Sequence, residues 1–311
     1  MTHDVPEIER MSAHLAQVHG LAPAWVREFW SWPYRDVIDF VHRLASSAEE
    51  RQSHGFPKEY LTSLPGVELS DRTSPNDLIV QKIMRERLLV LRMLFEFCSS
   101  HPERISEAIE IKGLEHLEAA AVSGNPVILA TTHVGIGQIG PHILAQFGFP
   151  ITVLGGGLPT RLLGLPGHEK LQLLRPKDQG PLVVAKGMEA LKAGRFLVMA
   201  ADGRQGRAGD ARRFLGKIRI FKSGLNYCAT RAQARVIPWQ ATVNSVGSPT
   251  LEVFPEIAPM DAGCSDDERA EAITMKYRDL LEWTWINHFG NVSDGDVQEY
   301  LALPDAPPQV R

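Results

Sequence analysis

Residues 130–148, ATTHVGIGQIGPHILAQFG, carry two sets of groups able to do chemistry. One is His133, at the end of the apolar run PVILATT. The other is Gly135-Ile136-Gly137-Gln138-Ile139-Gly140, a literal G-x-G-x-x-G. The imidazole can serve as a general base. The glycines can let backbone approach a pyrophosphate at a helix N-terminus. A third group lies downstream. Asp202 ends the apolar run RFLVMAAD and is followed by Gly203 and Arg204. Beyond it the stretch RRFLGKIRIFKSG adds Arg212, Arg213, Lys217, Arg219 and Lys222, with Arg207 just before it. Cations this dense either contact phosphate or form a solvated face. Arg161, beyond the glycines at 155–157, is a further candidate of the same kind.

The dinucleotide reading makes the chain an NAD(P)-dependent Rossmann oxidoreductase. It requires an acid at the end of the next strand to bind the ribose hydroxyl. That strand, PITVLGGG, ends in glycines, and the first acid beyond it is Glu169. Pro141 follows Gly140, so the last glycine and the proline suffice to open a helix. Neither the phosphate-binding G-x-x-x-x-G-K-[ST] loop nor a G-x-S-x-G nucleophile elbow is present. The histidine reading needs a different setting. His133 follows a predicted strand, and the carboxyl edge of an open α/β sheet is where ligands bind. Asp202 ends another predicted strand and shares that edge if the two run parallel.

The elements that must position these groups follow from the hydrophobic pattern. Residues 1–103 read as a helical segment that packs on the core, with Val37, Phe40, Val41 and Leu44 at helical spacing. SPNDLIVQKIMRERLLVLRMLFEFCSS begins with a Ser74 cap and Pro75. Residues 104–311 alternate strands and helices. Strands are expected in NPVILATT, PITVLGGG, RFLVMAAD, RVIPWQATV and TLEVFPEIA, with a shorter one in ISEAIEIKG. Helices are expected in LEHLEAAAVSG, GPHILAQFG, PLVVAKGMEALKAG, SGLNYCATRAQ and a long closing DDERAEAITMKYRDLLEWTWINHFG. This alternation predicts an α/β fold: a mixed, mostly parallel sheet covered by helices, with an N-terminal helical extension. The tail PDAPPQVR is expected to fray.

Bulk properties narrow the function classes. With 44% hydrophobic residues, a net charge of −4 and a pI near 6.3, the chain is ordinary globular protein without the basic excess of a nucleic-acid binder. The three cysteines, Cys98, Cys228 and Cys264, are scattered and form no C-x-x-C, which fits reduced thiols in the cytoplasm. The N-terminus is too acidic for a signal peptide, and the longest apolar run, LLVLRMLFEFC, is broken by Arg92 and Glu96. A cytoplasmic protein is expected. The cluster Trp25, Phe29, Trp30, Trp32 and Tyr34 reads first as core, and otherwise as a peripheral membrane contact or a wall for an apolar ligand. His142 and His168 read as structural.

In order and spacing, four stretches together resemble the lysophospholipid acyltransferase superfamily, nearest its lipid A late acyltransferase and phosphatidylinositol mannoside acyltransferase branch. They are KGLEHLEAAAVSGNPVILATTHVG, GMEALKAGRFLVMAADGR, RRFLGKIRIFKSGLNYCATRAQARVIPW and LEVFPEIAP. The resemblance covers roughly 104–290. It implies transfer of an acyl group from a thioester, on coenzyme A or acyl carrier protein, with no tightly bound cofactor and no metal. It makes His133 the general base and places Thr132, Gly135 and Gly137 beside the substrate. The acidic motif becomes Asp202-Gly203-Arg204, which positions substrate, and the basic run contributes Lys222 and Ser223. Arg161 joins them as a phosphate contact.

One position departs from the family pattern H-x(4)-D/E. Counting from His133, the acid position holds Gln138. An amide can accept the imidazole N–H and fix its tautomer, but it cannot stabilise an imidazolium by charge. Three readings follow. The leading one makes the acceptor a better nucleophile, a soluble amine or hydroxylamine in secondary metabolism. In the second, Asp202 supplies the missing charge. In the third, the protein binds an acyl thioester or carrier without turnover. Relatives of this branch carry a membrane anchor where this chain has its helical segment. That points to a small soluble acceptor over O-acylation of a lipid or glycolipid at a membrane surface.

Overall fold

The computed structural model describes residues 109–155, 169–175, 182–202, 208–244, 248–257 and 264–307, with Asp36 and Asp39. Apart from those two residues, the helical segment expected over 1–103, with its aromatic cluster, lies outside the described residues. The elements run β1 (Glu110–Lys112), α1 (Leu114–Val122), β2 (Val127–Thr131), α2 (Gly140–Gln146), β3 (Ile151–Leu154) and β4 (Gln172–Leu174). Then come α3 (Val183–Lys192), β5 (Phe196–Ala200), β6 (Gly209–Phe214), β7 (Lys217–Lys222) and α4 (Gly224–Ala232). The chain continues through β8 (Arg235–Val243), β9 (Pro249–Val253), α5 (Asp266–Asn287) and α6 (Asp294–Leu301).

Seven strands form one sheet in the order β1-β9-β8-β2-β5-β3-β4. Every neighbouring pair in it is parallel except β8 with β9. The expected mixed, mostly parallel sheet is therefore what the chain forms. All five residues of β2 are buried. Val127 and Leu129 enter one core with Leu117 of α1 and Ile143 of α2. Ile128 and Ala130 enter the other, with Leu191 of α3, Leu225 of α4, Ile273 of α5 and Val297 of α6. Burial on both faces is why the central strands read as unbroken apolar runs.

The closing helix α5 begins with a reciprocal cap. Ser265 Oγ accepts from the Glu268 backbone N–H, and the Glu268 carboxylate accepts from the Ser265 backbone. Its buried stripe runs through Ile273, Tyr277, Leu281 and Trp285, one turn apart. Three features escaped the sequence pattern: β4, α6 and the β6–β7 hairpin. The hairpin is antiparallel and turns through Leu215 and Gly216, both with positive φ, 46° and 83°. Leu215 is held there from both sides. Its N–H donates to Glu282 Oε1 at 2.7 Å, and its carbonyl accepts from the Tyr300 hydroxyl.

The tail expected to fray is tied down as far as Ala306. Ile218 N–H donates to the Pro304 carbonyl, and Ala306 N–H to Gly216, each at 2.8 Å. Lys217 pairs with Asp305 at 2.8 Å. The outer edge of β7 offers unpaired backbone groups, and this segment covers them.

Candidate active site

The site lies where β2 and β5 end. The two strands are parallel neighbours, with Thr131 opposite Ala200. Two residues beyond these partners stand His133 and Asp202, so the register delivers both to one edge of the sheet. The Asp202 carboxylate grips the histidine twice. Oδ1 lies 2.8 Å from His133 Nδ1, and Oδ2 accepts the His133 backbone N–H at 2.8 Å. The Asp202 side chain is 5% exposed and that of His133 is 58% exposed. A carboxylate only accepts hydrogen bonds, so Nδ1 carries the proton and Nε2 of the neutral ring keeps its lone pair. The Asp202 hydrogen bond raises the His133 pKa above its ordinary 6.5. Burial and Arg219 oppose this, while the charges of Asp202 and Asp296 reinforce it.

The glycine loop serves this arrangement through close packing. Gly135 has φ +73°, and a Cβ there would fall 2.2 Å from the Ala241 carbonyl oxygen. Its N–H donates to Asn291 O at 2.8 Å, and Ile136 N–H to Ala241 O at 2.7 Å. A Cβ on Gly140 would sit 2.0 Å from the Trp239 ring. The glycines thus let the loop lie against β8, and two of its amides are already committed to carbonyls. That is not the geometry of a pyrophosphate cradle, whose amides must face the ligand. Gly137 packs more loosely, with a Cβ position 3.1 Å from Thr132 O. Thr132 is buried, and its Oγ1 accepts the Val134 N–H at 3.1 Å, tightening the turn after the histidine.

A cleft of about 200 Å³ opens beside the pair, lined by Asp202, Arg219, Ile220, Lys222, Asp296, Glu299, Tyr300 and Leu303. Arg219 lies over the Phe214 and Phe221 rings, 5.0 and 5.8 Å from their centroids. Its Nη2 donates to the Asp202 carbonyl at 3.0 Å, which steadies the turn after β5. Three other cations of the hairpin are used elsewhere. Arg212 pairs with Glu271, Lys217 with Asp305, and Arg213 reaches the Pro307 carbonyl.

Of the residues singled out from sequence, the structure brings together His133, Asp202, Arg219 and Lys222. Gln138 is exposed, and Asp202 occupies the Nδ1 position expected of it. Ser223 stands just before α4 without capping it through its side chain, and its hydroxyl donates to the Ala208 carbonyl at the hairpin base. Arg161, Gly203, Arg204, Arg207 and His168 lie outside the described residues. His142 is buried in α2. The cleft also recruits Asp296, Glu299, Tyr300 and Leu303 from a segment that carried no prior expectation. Behind the site, Asn291 is buried and exchanges two 2.8 Å hydrogen bonds with the Val243 backbone. A polar residue followed by S-D-G-D, a capped helix start, was the available signal for this region. Cys228 is buried, and desolvation pushes its thiol up to about 11, an inert core residue. Among the described residues no cluster of side chains suits a metal ion, and no helix is long and apolar enough to cross a membrane.

The fold is an α/β one with a carboxylate-held histidine at the carboxyl edge of a mostly parallel sheet, and the family its sequence matches makes the chain an acyltransferase of the lysophospholipid acyltransferase superfamily. The model of the bacterial lipid A biosynthesis acyltransferase family matches residues 33–284, and the chain belongs to that family. A comparison with curated proteins finds no match. Among solved structures it is similar to the 1-acyl-sn-glycerophosphate (LPA) acyltransferase PlsC from Thermotoga maritima. The identity is 13% and the TM-score 0.36, over 88% of this chain and 100% of that one, a likeness that carries no argument.

Proposed function

We propose that this acyltransferase moves an acyl group from a thioester to a hydroxyl of a lipid or glycolipid at a membrane surface. His133 is the general base, and Asp202 is its charged partner. The observation that carries this reading is the 2.8 Å contact between His133 Nδ1 and Asp202 Oδ1. The case for an amine or hydroxylamine acceptor rested on a missing carboxylate at Gln138, and the helical segment in place of a membrane anchor made that acceptor a soluble one. With Asp202 on Nδ1 the imidazolium has its counter-charge, and an ordinary hydroxyl is within reach of the chemistry.

The steps follow from that pairing. Nε2 takes the proton of the acceptor hydroxyl as its oxygen bonds to the thioester carbonyl carbon. The imidazolium is held by Asp202 while the tetrahedral intermediate exists. The C–S bond then breaks, and His133 returns the proton to the departing sulfur, giving an ester and a free thiol. No metal or redox cofactor takes part in these steps. Arg219 and Lys222, lining the cleft beside Asp202, suit a phosphate, such as that of phosphopantetheine in coenzyme A or an acyl carrier protein. The protein acts in the cytoplasm and meets the membrane peripherally.

The test is thiol release by the purified protein from an acyl thioester. Acceptors are vesicles containing lipid or glycolipid hydroxyls, compared with soluble amines and hydroxylamines. Release that requires the lipid acceptor, and is lost in His133→Ala, is expected. Acylation of amines alone would restore the soluble-acceptor reading. Thioester binding without turnover would make the protein a carrier-binding module.

A further inference from the structure

Behind the catalytic pair lies a buried hydroxyl that the steps above do not use. Tyr277 sits on the inward stripe of α5 and is 2% exposed. Its hydroxyl donates to the Thr131 carbonyl at 2.7 Å. The same carbonyl accepts the Ala201 N–H at 3.0 Å, the last rung between β2 and β5. Beyond that rung the two strand ends part. His133 turns its N–H to the Asp202 side chain. The Tyr277 hydroxyl thus grips the last rung between the two strands, two residues before His133 and one before Asp202.

We infer that Tyr277 is a positioning residue for the acyl-transfer reaction: its hydroxyl fixes the separation of the two strand ends and so holds Asp202 on His133. The inference rests on the reading of His133 as the base. The chemistry suits the task. Burial first, and the nearby Asp202 charge second, hold the phenol well above its ordinary pKa. It stays a neutral donor throughout the working pH range and introduces no competing charge beside the carboxylate. A hydroxyl on a rigid ring, anchored in a 22-residue helix, defines a distance more sharply than a flexible side chain does.

Tyr277→Phe keeps the ring and its packing and removes only the hydroxyl. The direct readout is the titration of the His133 imidazole, followed by NMR in protein labelled at histidine and assigned by comparison with His133→Gln. Wild-type His133 titrates above 6.5. In Tyr277→Phe its pKa falls back towards the ordinary value, because Asp202 is held less firmly. Thr284→Val is the matched control. It removes another buried hydroxyl of α5, bonded to Gln240 at 2.9 Å and remote from the pair, and it leaves the His133 titration unchanged. In the acyl-transfer assay, Tyr277→Phe lowers kcat about tenfold with KM for the thioester unchanged. An unshifted His133 titration in Tyr277→Phe, or an equal shift in Thr284→Val, overturns the inference. The titration needs no substrate. A shifted pKa in a protein that transfers no acyl group would keep the positioning role and count against the proposed reaction alone.

Discussion

Asp202→Asn is the sharpest perturbation of this site, because the structure dictates how the new amide must sit. The carboxylate accepts two hydrogen bonds, from the His133 backbone N–H and from Nδ1–H, each at 2.8 Å. The backbone group can only donate, so the single amide oxygen is drawn to it. The amide NH2 then faces Nδ1 and makes it an acceptor. The ring proton moves to Nε2, and the lone pair that should take the acceptor's proton is gone. Both the tautomer and the counter-charge are wrong. The corresponding exchange in a serine-protease triad lowers turnover by ~10⁴, equivalent to about 5 kcal/mol of barrier. A loss of that order is expected here, in kcat and with little change in KM, when thiol release from an acyl thioester is followed with a thiol-reactive chromophore. Gln138→Ala, changing an exposed side chain, stays within about threefold of wild type on the scale of ordinary surface substitutions. Asp202→Asn retaining a tenth or more of wild-type kcat would refute the assignment. So would Gln138→Ala falling as far as Asp202→Asn.

Three further outcomes follow from the same geometry. A general base must be unprotonated, and the His133 pKa lies above 6.5, so kcat/KM falls as pH drops through that raised value. The same shift stabilises the fold below 6.5 and loses that effect as pH rises through the raised pKa. With the ring more than half exposed, the stability change is small, and the rate profile is the measurement to make. Gly135→Ala forces a non-glycine residue into φ +73° and drives its Cβ to 2.2 Å from Ala241 O. Strain alone costs about 1–3 kcal/mol, and the displaced loop carries His133 with it, so the urea midpoint and kcat both drop. Asn291→Ala removes both hydrogen bonds to Val243 and leaves its N–H and carbonyl unpaired in the interior. A loss of roughly 2–4 kcal/mol is expected in chemical denaturation, with the m-value unchanged.

The central strands were legible because they are buried on both faces. PVILAT and RFLVMA present apolar side chains to two cores, and nothing in them interrupts the run. The long closing helix was legible through its acidic first turn and its four-residue stripe. The β6–β7 hairpin was not, because five of its six β6 residues are exposed or half-buried and β7 alternates cations with apolar residues. Such a pattern reads as a basic loop. Its turn, Leu215-Gly216, also lacks the Asn-Gly or Asp-Gly pair that marks this geometry, since Leu215 is forced to positive φ by Glu282 and Tyr300 from distant elements. The tail Pro304–Ala306 looked like a fraying end for the same reason: only the hairpin edge, invisible in the linear sequence, gives it a partner.

The acid of the site shows where linear reading stops. In the sequence, a histidine's partner is sought at a fixed spacing along the chain, and at that spacing stands Gln138. In the fold, the neighbours of a strand end are the ends of the strands paired with it. The β2–β5 register puts Asp202, 69 residues away, in the place that the family spacing gives to Gln138, which is the second of the readings the sequence left open. The strand ends were visible as PVILATT and RFLVMAAD; their adjacency and register were not, because nothing in either run names its partner. Once adjacency is known, the chemistry changes class. A base supported only by an amide needs a reactive acceptor, whereas a base held by a buried carboxylate at both its ring and its backbone can take a proton from an alcohol. In the proposed reaction the acceptor turns on the pairing of two strands more than on any single substitution in the histidine loop. Gln138→Glu separates the two views directly. If Asp202 already supplies the charge, a second carboxylate five residues along the loop adds little to hydroxyl transfer. A large acceleration would mean the base had been waiting for its acid.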